Sequence, residues 1–190
     1  MRLTVIDNYD SFVYNIVRYL KEESCSVTVM RNDHIDKDAL TKSEAIILSP
    51  GPGIPEEAGE LMQVIEEFYQ RKPMLGVCLG HQALGSFFGA SLLPAENIVH
   101  GRTSTLRITA KDAIFDGLGD TIEVGRYHSW LLKDPLPEVL IKTSETLDGE
   151  LMSFRHVDLP ISGVQFHPES ILTPTGRKML RNWLNSIVRV

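Results

Sequence analysis

Short apolar runs alternate with longer amphipathic ones through the first half of this chain: Leu3 to Ile6, Phe12 to Leu20, Val27 to Met30, Ala45 to Leu48, Leu61 to Tyr69 and Met74 to Val77. The short runs suit buried strands. In the longer ones apolar residues recur at helical spacing, as in Phe12, Val13, Ile16, Val17 and Leu20. Strands alternating with helices require crossover connections, which produce a parallel sheet with helices on its faces. Asp10 or Ser11 is expected to cap the first of these helices. From about Leu92 to Phe166 the texture changes. Thr105 to Thr109, Thr121 to Val124, Leu140 to Thr143 and Leu151 to Phe154 are separated by Gly, Asp and Pro, and read as strands joined by turns, antiparallel ones among them. The chain closes on a helical stripe of Met179, Leu180, Trp183, Leu184, Ile187 and Val188, starting near Pro174 and Gly176, that reads as core packing. The expected fold is α/β: an open, mostly parallel sheet with flanking helices plus a small antiparallel extension, with residues 1–190 forming one domain.

Composition narrows the function. The net charge of -6 disfavours a groove for nucleic acid, whose phosphates call for a basic surface. Cys25 and Cys78 are the only cysteines, and neither stands in a C-x-x-C or a Cys/His cluster, so neither a disulfide framework nor a metal site is expected. Residues 1–7 run straight into a strand-like pattern, without the basic and apolar regions of a signal peptide. No uninterrupted apolar run approaches the roughly 18 residues of a membrane span. A reducing cytoplasm is the expected setting, with no membrane and no nucleic acid as partner.

Chemistry enters at Gly76-Val77-Cys78-Leu79-Gly80, which follows an apolar strand and precedes His81-Gln82-Ala83-Leu84. Small residues two before and two after a nucleophile let the backbone turn sharply from strand to helix and present one side chain above the sheet edge. A helix starting just after the thiol favours the thiolate through the positive end of its dipole. The other reading of Cys78 is a free cysteine packed as a small hydrophobe. A second segment, Val164-Gln165-Phe166-His167-Pro168-Glu169-Ser170, bears on that choice. Proline pushes the residue before it into extended geometry, so His167 and Glu169 are expected on the same side of a strand end, with the carboxylate orienting the imidazole. A thiol nucleophile needs such a base, and the base needs a third group to fix its tautomer. Alone, His167 would read as a satisfied core histidine and Glu169 as a surface or capping carboxylate.

The loop Ser49-Pro50-Gly51-Pro52-Gly53-Ile54-Pro55 follows the strand Ala45 to Leu48. Prolines carry no N–H, so its donors are confined to Gly51, Gly53 and Ile54. Gly53 is a candidate oxyanion donor, with the N–H of Leu79 as the second. The other reading is a proline-rich turn that stiffens a connection.

These segments, in this order and spacing, resemble class I glutamine amidotransferases over nearly the whole chain, which implies a flavodoxin-like sheet. Asp7 to Phe12 (D-N-Y-D-S-F), His100 to Ser104 (H-G-R-T-S) and Arg126 to Ser129 (R-Y-H-S) resemble, within that class, the glutaminase subunits of anthranilate synthase and aminodeoxychorismate (para-aminobenzoate) synthase. The resemblance implies that Cys78 attacks the side-chain amide of glutamine, that His167 acts as base and then acid, and that Glu169 orients His167. It implies N–H donation to the oxyanion from Gly53 and Leu79, and glutamine binding by Gly51, Pro52, Gly53, Gln82, Ser129 and Trp130, the last two largely through backbone. Family members usually carry leucine at the position of Trp130, and many carry cysteine at that of Gly53; both changes leave a backbone role intact. No cofactor is implied in this subunit. Ammonia would pass through a water-poor route to a chorismate-binding synthase subunit, with His100 to Ser104 and Tyr127-His128 as candidates for the docking surface. Two other readings stand beside this one: a cysteine hydrolase of similar fold acting on esters or peptides, and a binding module that has lost its chemistry.

Overall fold

The computed structural model describes residues 1–188. Its elements, in chain order, are β1 (Arg2–Asp7), α1 (Val13–Glu22), β2 (Ser26–Arg31), α2 (Lys37–Lys42), β3 (Ala45–Leu48), α3 (Leu61–Phe68), β4 (Met74–Val77), α4 (Leu79–Phe87), β5 (Leu92–Ile108), β6 (Thr121–Leu132), β7 (Leu140–Thr146), β8 (Leu151–His156), β9 (Ile161–Val164) and α5 (Gly176–Ile187). The nine strands among the described residues join one sheet in the order β2-β1-β3-β4-β9-β8-β7-β5-β6. The first five are parallel neighbours, and from β9 outward every pairing is antiparallel. The expected parallel sheet and its antiparallel extension are therefore continuous, and β9 is the seam between them.

Strand periodicity divides the core. Leu3, Val5, Ala45, Ile47, Leu75 and Val77 face the side covered by α1 and α5, while Ile6, Ile46, Leu48 and Met74 face the side covered by α2, α3 and α4. A sheet covered on both faces needs strands apolar at every position, which is why β3 and β4 read as unbroken hydrophobic runs. The C-terminal helix packs as expected, burying Met179, Leu180, Trp183 and Leu184.

Two local expectations change. Neither Asp10 nor Ser11 caps α1. Phe12 occupies the cap position without a side-chain bond, and Asp10 closes a turn by accepting from the Phe12 N–H at 2.7 Å. A missing cap costs about 1 kcal/mol. Burial of Val13, Ile16, Val17 and Leu20, at roughly 2 kcal/mol each before entropy is counted, outweighs it, so packing holds this helix. The short helix α2 has no periodic run to announce it; Asp36 starts it by accepting from the Ala39 N–H at 3.0 Å.

Candidate active site

Cys78 sits between β4 and α4, at the carboxyl edge of the parallel strands, with φ 52° and ψ -102°. For a residue with a Cβ this conformation is strained, and the surroundings enforce it. Its N–H donates to the Val164 carbonyl at 2.8 Å. A Cβ on Gly76 would collide with the Gly80 carbonyl and come within 2.6 Å of the His81 nitrogen, and one on Gly80 would collide with the Leu48 carbonyl of β3, so the elbow closes and packs on the sheet only because both flanking positions are glycine. Cys78 as a residue is 6% exposed and so counts as buried.

His167 and Glu169 come to the same place by a route other than the one expected. The strand β9 ends at Val164, and His167 to Ser170 form a turn in which the Ser170 N–H donates to the His167 carbonyl at 3.2 Å. The turn, rather than strand alternation, puts imidazole and carboxylate side by side, with Nδ1 of His167 2.6 Å from Oε1 of Glu169. The main chain of His167 is fixed at both polar groups. Its N–H donates to the Gly125 carbonyl at 3.0 Å, and its carbonyl accepts from the Thr173 hydroxyl at 2.6 Å. The imidazole is buried, and its Nε2 has no nitrogen or oxygen partner, while the Cys78 sulfur acts on the same ring.

Charge nevertheless couples the three groups. Burial works against a protonated His167, but the Glu169 carboxylate and then the Cys78 sulfur outweigh it and hold the imidazole pKa well above its ordinary 6.5. A cationic ring beside a thiol can sustain a thiolate and later give up a proton, which is what acyl transfer through sulfur requires.

Two glutamines connect the sulfur to β6. Nε2 of Gln82 donates to the Trp130 carbonyl and to Oε1 of Gln165, both at 3.1 Å, and Nε2 of Gln165 donates to the Cys78 sulfur at 3.6 Å. Both N–H groups of Gln82 are thereby used, leaving its Oε1 as the atom able to accept from a ligand. Gln165 escaped the sequence reading. The signal was present: a polar residue two positions before His167 in an otherwise apolar strand end. Ser129 is exposed and lies where the β5–β6 register shifts between the pairs Pro94–Trp130 and Val99–His128.

The glycine-proline loop lies over the start of α4. A Cβ on Gly51 would stand 2.8 Å from Cδ2 of Leu79 and 2.5 Å from Cβ of Asn8, so glycine is needed for this approach. Asn8 braces the loop: its N–H donates to the Ser49 hydroxyl at 2.9 Å and its side-chain amide to the Ser49 carbonyl at 2.8 Å. Pro52 and Gly53 are exposed at the loop tip, and Gly53 has φ 76°. Leu79 is the first residue of α4, where a helical N–H has no partner within the helix.

Motifs whose chemistry the sequence left open meet over His167. The Tyr127 ring lies edge-on to the imidazole at 4.9 Å between centroids, the Phe12 ring at 6.2 Å, and His100 packs against Tyr127 at 5.5 Å. His128, expected on a docking surface, is instead interior at 4% exposure. Its Nε2 accepts from Nε of Arg126 at 3.0 Å, and Arg126 also binds Ser104 and Glu150. Burial, and then the Arg126 charge, push the His128 pKa down to about 3; burial does the same to His81, which packs against Phe154. A cavity of about 490 Å³ opens elsewhere, lined by Leu93, Val99, Arg126, Lys133 and Glu150 among others, and holds neither Cys78 nor His167.

The chain's likeness to known proteins agrees with this geometry. The family model described as glutamine amidotransferase class-I matches residues 4–187. The bifunctional protein TrpGD of Thermotoga maritima is 46% identical over 97% of this chain, which spans 32% of that longer protein. The aminodeoxychorismate/anthranilate synthase component 2 of Bacillus subtilis is 44% identical over 97% of this chain and 96% of its own. A crystal structure from Thermoplasma acidophilum, described as one subunit of a GMP synthase, matches with a TM-score of 0.89 at 27% identity, covering 100% of this chain and 94% of that one. With a strained cysteine elbow, a histidine–glutamate turn and a family match along almost its whole length, the chain belongs to the class-I glutamine amidotransferases.

Proposed function

We propose that this glutamine amidotransferase releases ammonia from the side-chain amide of glutamine through a thioester on Cys78, and that a separate chorismate-binding synthase subunit consumes the ammonia to make anthranilate or 4-amino-4-deoxychorismate. The observation that carries the reading is the pairing of His167 Nδ1 with Glu169, while Nε2 has no nitrogen or oxygen partner and the Cys78 sulfur acts on the same ring. The thiolate attacks the amide carbon, and the carbonyl oxygen takes the negative charge. The N–H groups of Gly53 and Leu79 receive that oxygen, each such donor being worth about 3 kcal/mol in the transition state. Nε2 of His167 protonates the departing nitrogen, the C–N bond breaks, and ammonia leaves. Water then gives its proton to Nε2 and attacks the thioester, releasing glutamate and restoring the thiolate.

Gln82 Oε1 suits the α-ammonium of glutamine, since its amide nitrogen is already engaged. Gly51, Pro52 and the backbone of Ser129 and Trp130 complete the binding edge. The synthase partner and its acceptor are supported by the component 2 name of the Bacillus relative. The test is co-purification of the chain with its partner, followed by assay with glutamine and chorismate. Either of the two amino products supports the reading, and its absence, or hydrolysis of esters or peptides in place of glutamine, overturns it.

A further inference from the structure

Gln165 has no role in the chemistry above, yet it is fully buried and contacts the sulfur. The orientation of its amide is dictated from a distance. The Trp130 carbonyl can only accept, so it must face the amide nitrogen of Gln82. That nitrogen in turn needs an acceptor on its other side, which fixes Oε1 of Gln165 toward Gln82 and Nε2 of Gln165 toward Cys78. The direction of every bond therefore propagates from a main-chain carbonyl on the binding edge to the reacting sulfur. The backbone of the same segment grips the elbow too, because the Val164 carbonyl accepts from the Cys78 N–H and the Gln165 N–H is tied to Met152 at 2.8 Å.

We propose that Gln165 is a positioning residue that holds the Cys78 sulfur as an acceptor and couples it, through Gln82, to the edge where glutamine binds. The inference rests on the function proposed above for its substrate, but not for its action on the thiol. A donor aimed at sulfur favours the thiolate over the thiol. His167 is the charged group acting on this sulfur, with Glu169 behind it, and both stay in place in the variants below. His81, on the same helix as the elbow, is uncharged at neutral pH.

Two near-isosteric variants separate the terms. Gln165→Met removes both the donor and the link to Gln82; Gln165→Glu removes the donor but still accepts from Gln82. The pH profile of Cys78 alkylation by iodoacetamide, measured on the full chain, is expected to move upward by about one unit in Gln165→Met, as loss of a charge-assisted hydrogen bond implies, and further in Gln165→Glu. In the complex with its synthase partner, Gln165→Glu should lower kcat about tenfold with KM within about twofold, whereas Gln165→Met should also raise KM. Either variant, provided it folds, decides the matter through its alkylation profile, and a profile that coincides with that of the unsubstituted chain overturns the proposal. If the unsubstituted complex releases no ammonia from glutamine, the proposed function fails while the alkylation profile still decides the role of Gln165.

Discussion

The N–H of Cys78 donates to the carbonyl of Val164, so the residue at the tip of the elbow is bonded to the strand that leads into the histidine turn. Since β4 and β9 are parallel neighbours, with Val77 in register with Val164, the sheet itself aligns two segments far apart in sequence. The site is therefore as rigid as the central strand pair, and changes to it can be tested one group at a time.

Cys78→Ser should abolish glutamine-dependent product formation, by at least about a thousandfold, while the complex still uses added ammonium. Both rates are read in one assay with chorismate present. Retained glutaminase activity would remove Cys78 from the mechanism.

Glu169→Gln removes the negative charge facing Nδ1 but keeps the shape and an amide oxygen that still accepts from it. His167 then loses the strongest influence raising its pKa while burial still lowers it, so its titration, followed by NMR, should fall from well above 6.5 to near or below that value. The linked stability has a definite sign. A histidine whose pKa is raised on folding contributes stability that is complete below the unfolded value of 6.5 and is lost as pH rises through the folded value. The stability gap between the unsubstituted chain and Glu169→Gln should thus be wide at pH 6 and narrow in alkali, as read by urea denaturation. Activity should fall less than in His167→Ala, which is expected to match Cys78→Ser.

His81 and His128 predict the opposite dependence. Both have pKa values of about 3 when folded, so between pH 6.5 and 3 the unfolded chain binds more protons and stability falls as pH falls. Denaturation at pH 7, 6, 5 and 4 should show this loss. His128→Gln, which can still accept from Arg126, should reduce it by on the order of 1–3 kcal/mol at pH 4. An unchanged slope would mean that His128 titrates normally.

Gly76→Ala places a methyl group against the backbone of Gly80 and His81, which cannot yield without opening the elbow. A loss of about 3 kcal/mol or more is expected, with glutaminase activity disappearing in step. Thermal unfolding and activity on the same sample check both.

The βα alternation was legible because strands buried on both faces and helices buried on one write different periods into the sequence. Ala45–Leu48 and Met74–Val77 are strands with the same bounds as their apolar runs. The elbow was legible for a related reason, since Gly76 is dictated by atoms within five residues, although Gly80 is dictated by Leu48 on the neighbouring strand β3. Relations that depend on tertiary approach were not. Nothing local places Asn8 under the Ser49 loop, Phe12 against His167, or His128 inside the protein beside Arg126. The shared side of His167 and Glu169 was anticipated through the wrong element, because Pro168 sits in a turn after β9 rather than in the strand. Period two, applied one step further back from His167, would have brought Gln165 into view.

With its main chain clamped by Gly125 and Thr173 and its Nδ1 held by Glu169, His167 has a single free polar atom. Protons can enter and leave this ring by one door only. The nitrogen departing from the substrate must come to the same side of the imidazole as the sulfur, and the water that follows must arrive there after it, so the two half-reactions take turns at one threshold and ammonia has to clear it before hydrolysis can begin.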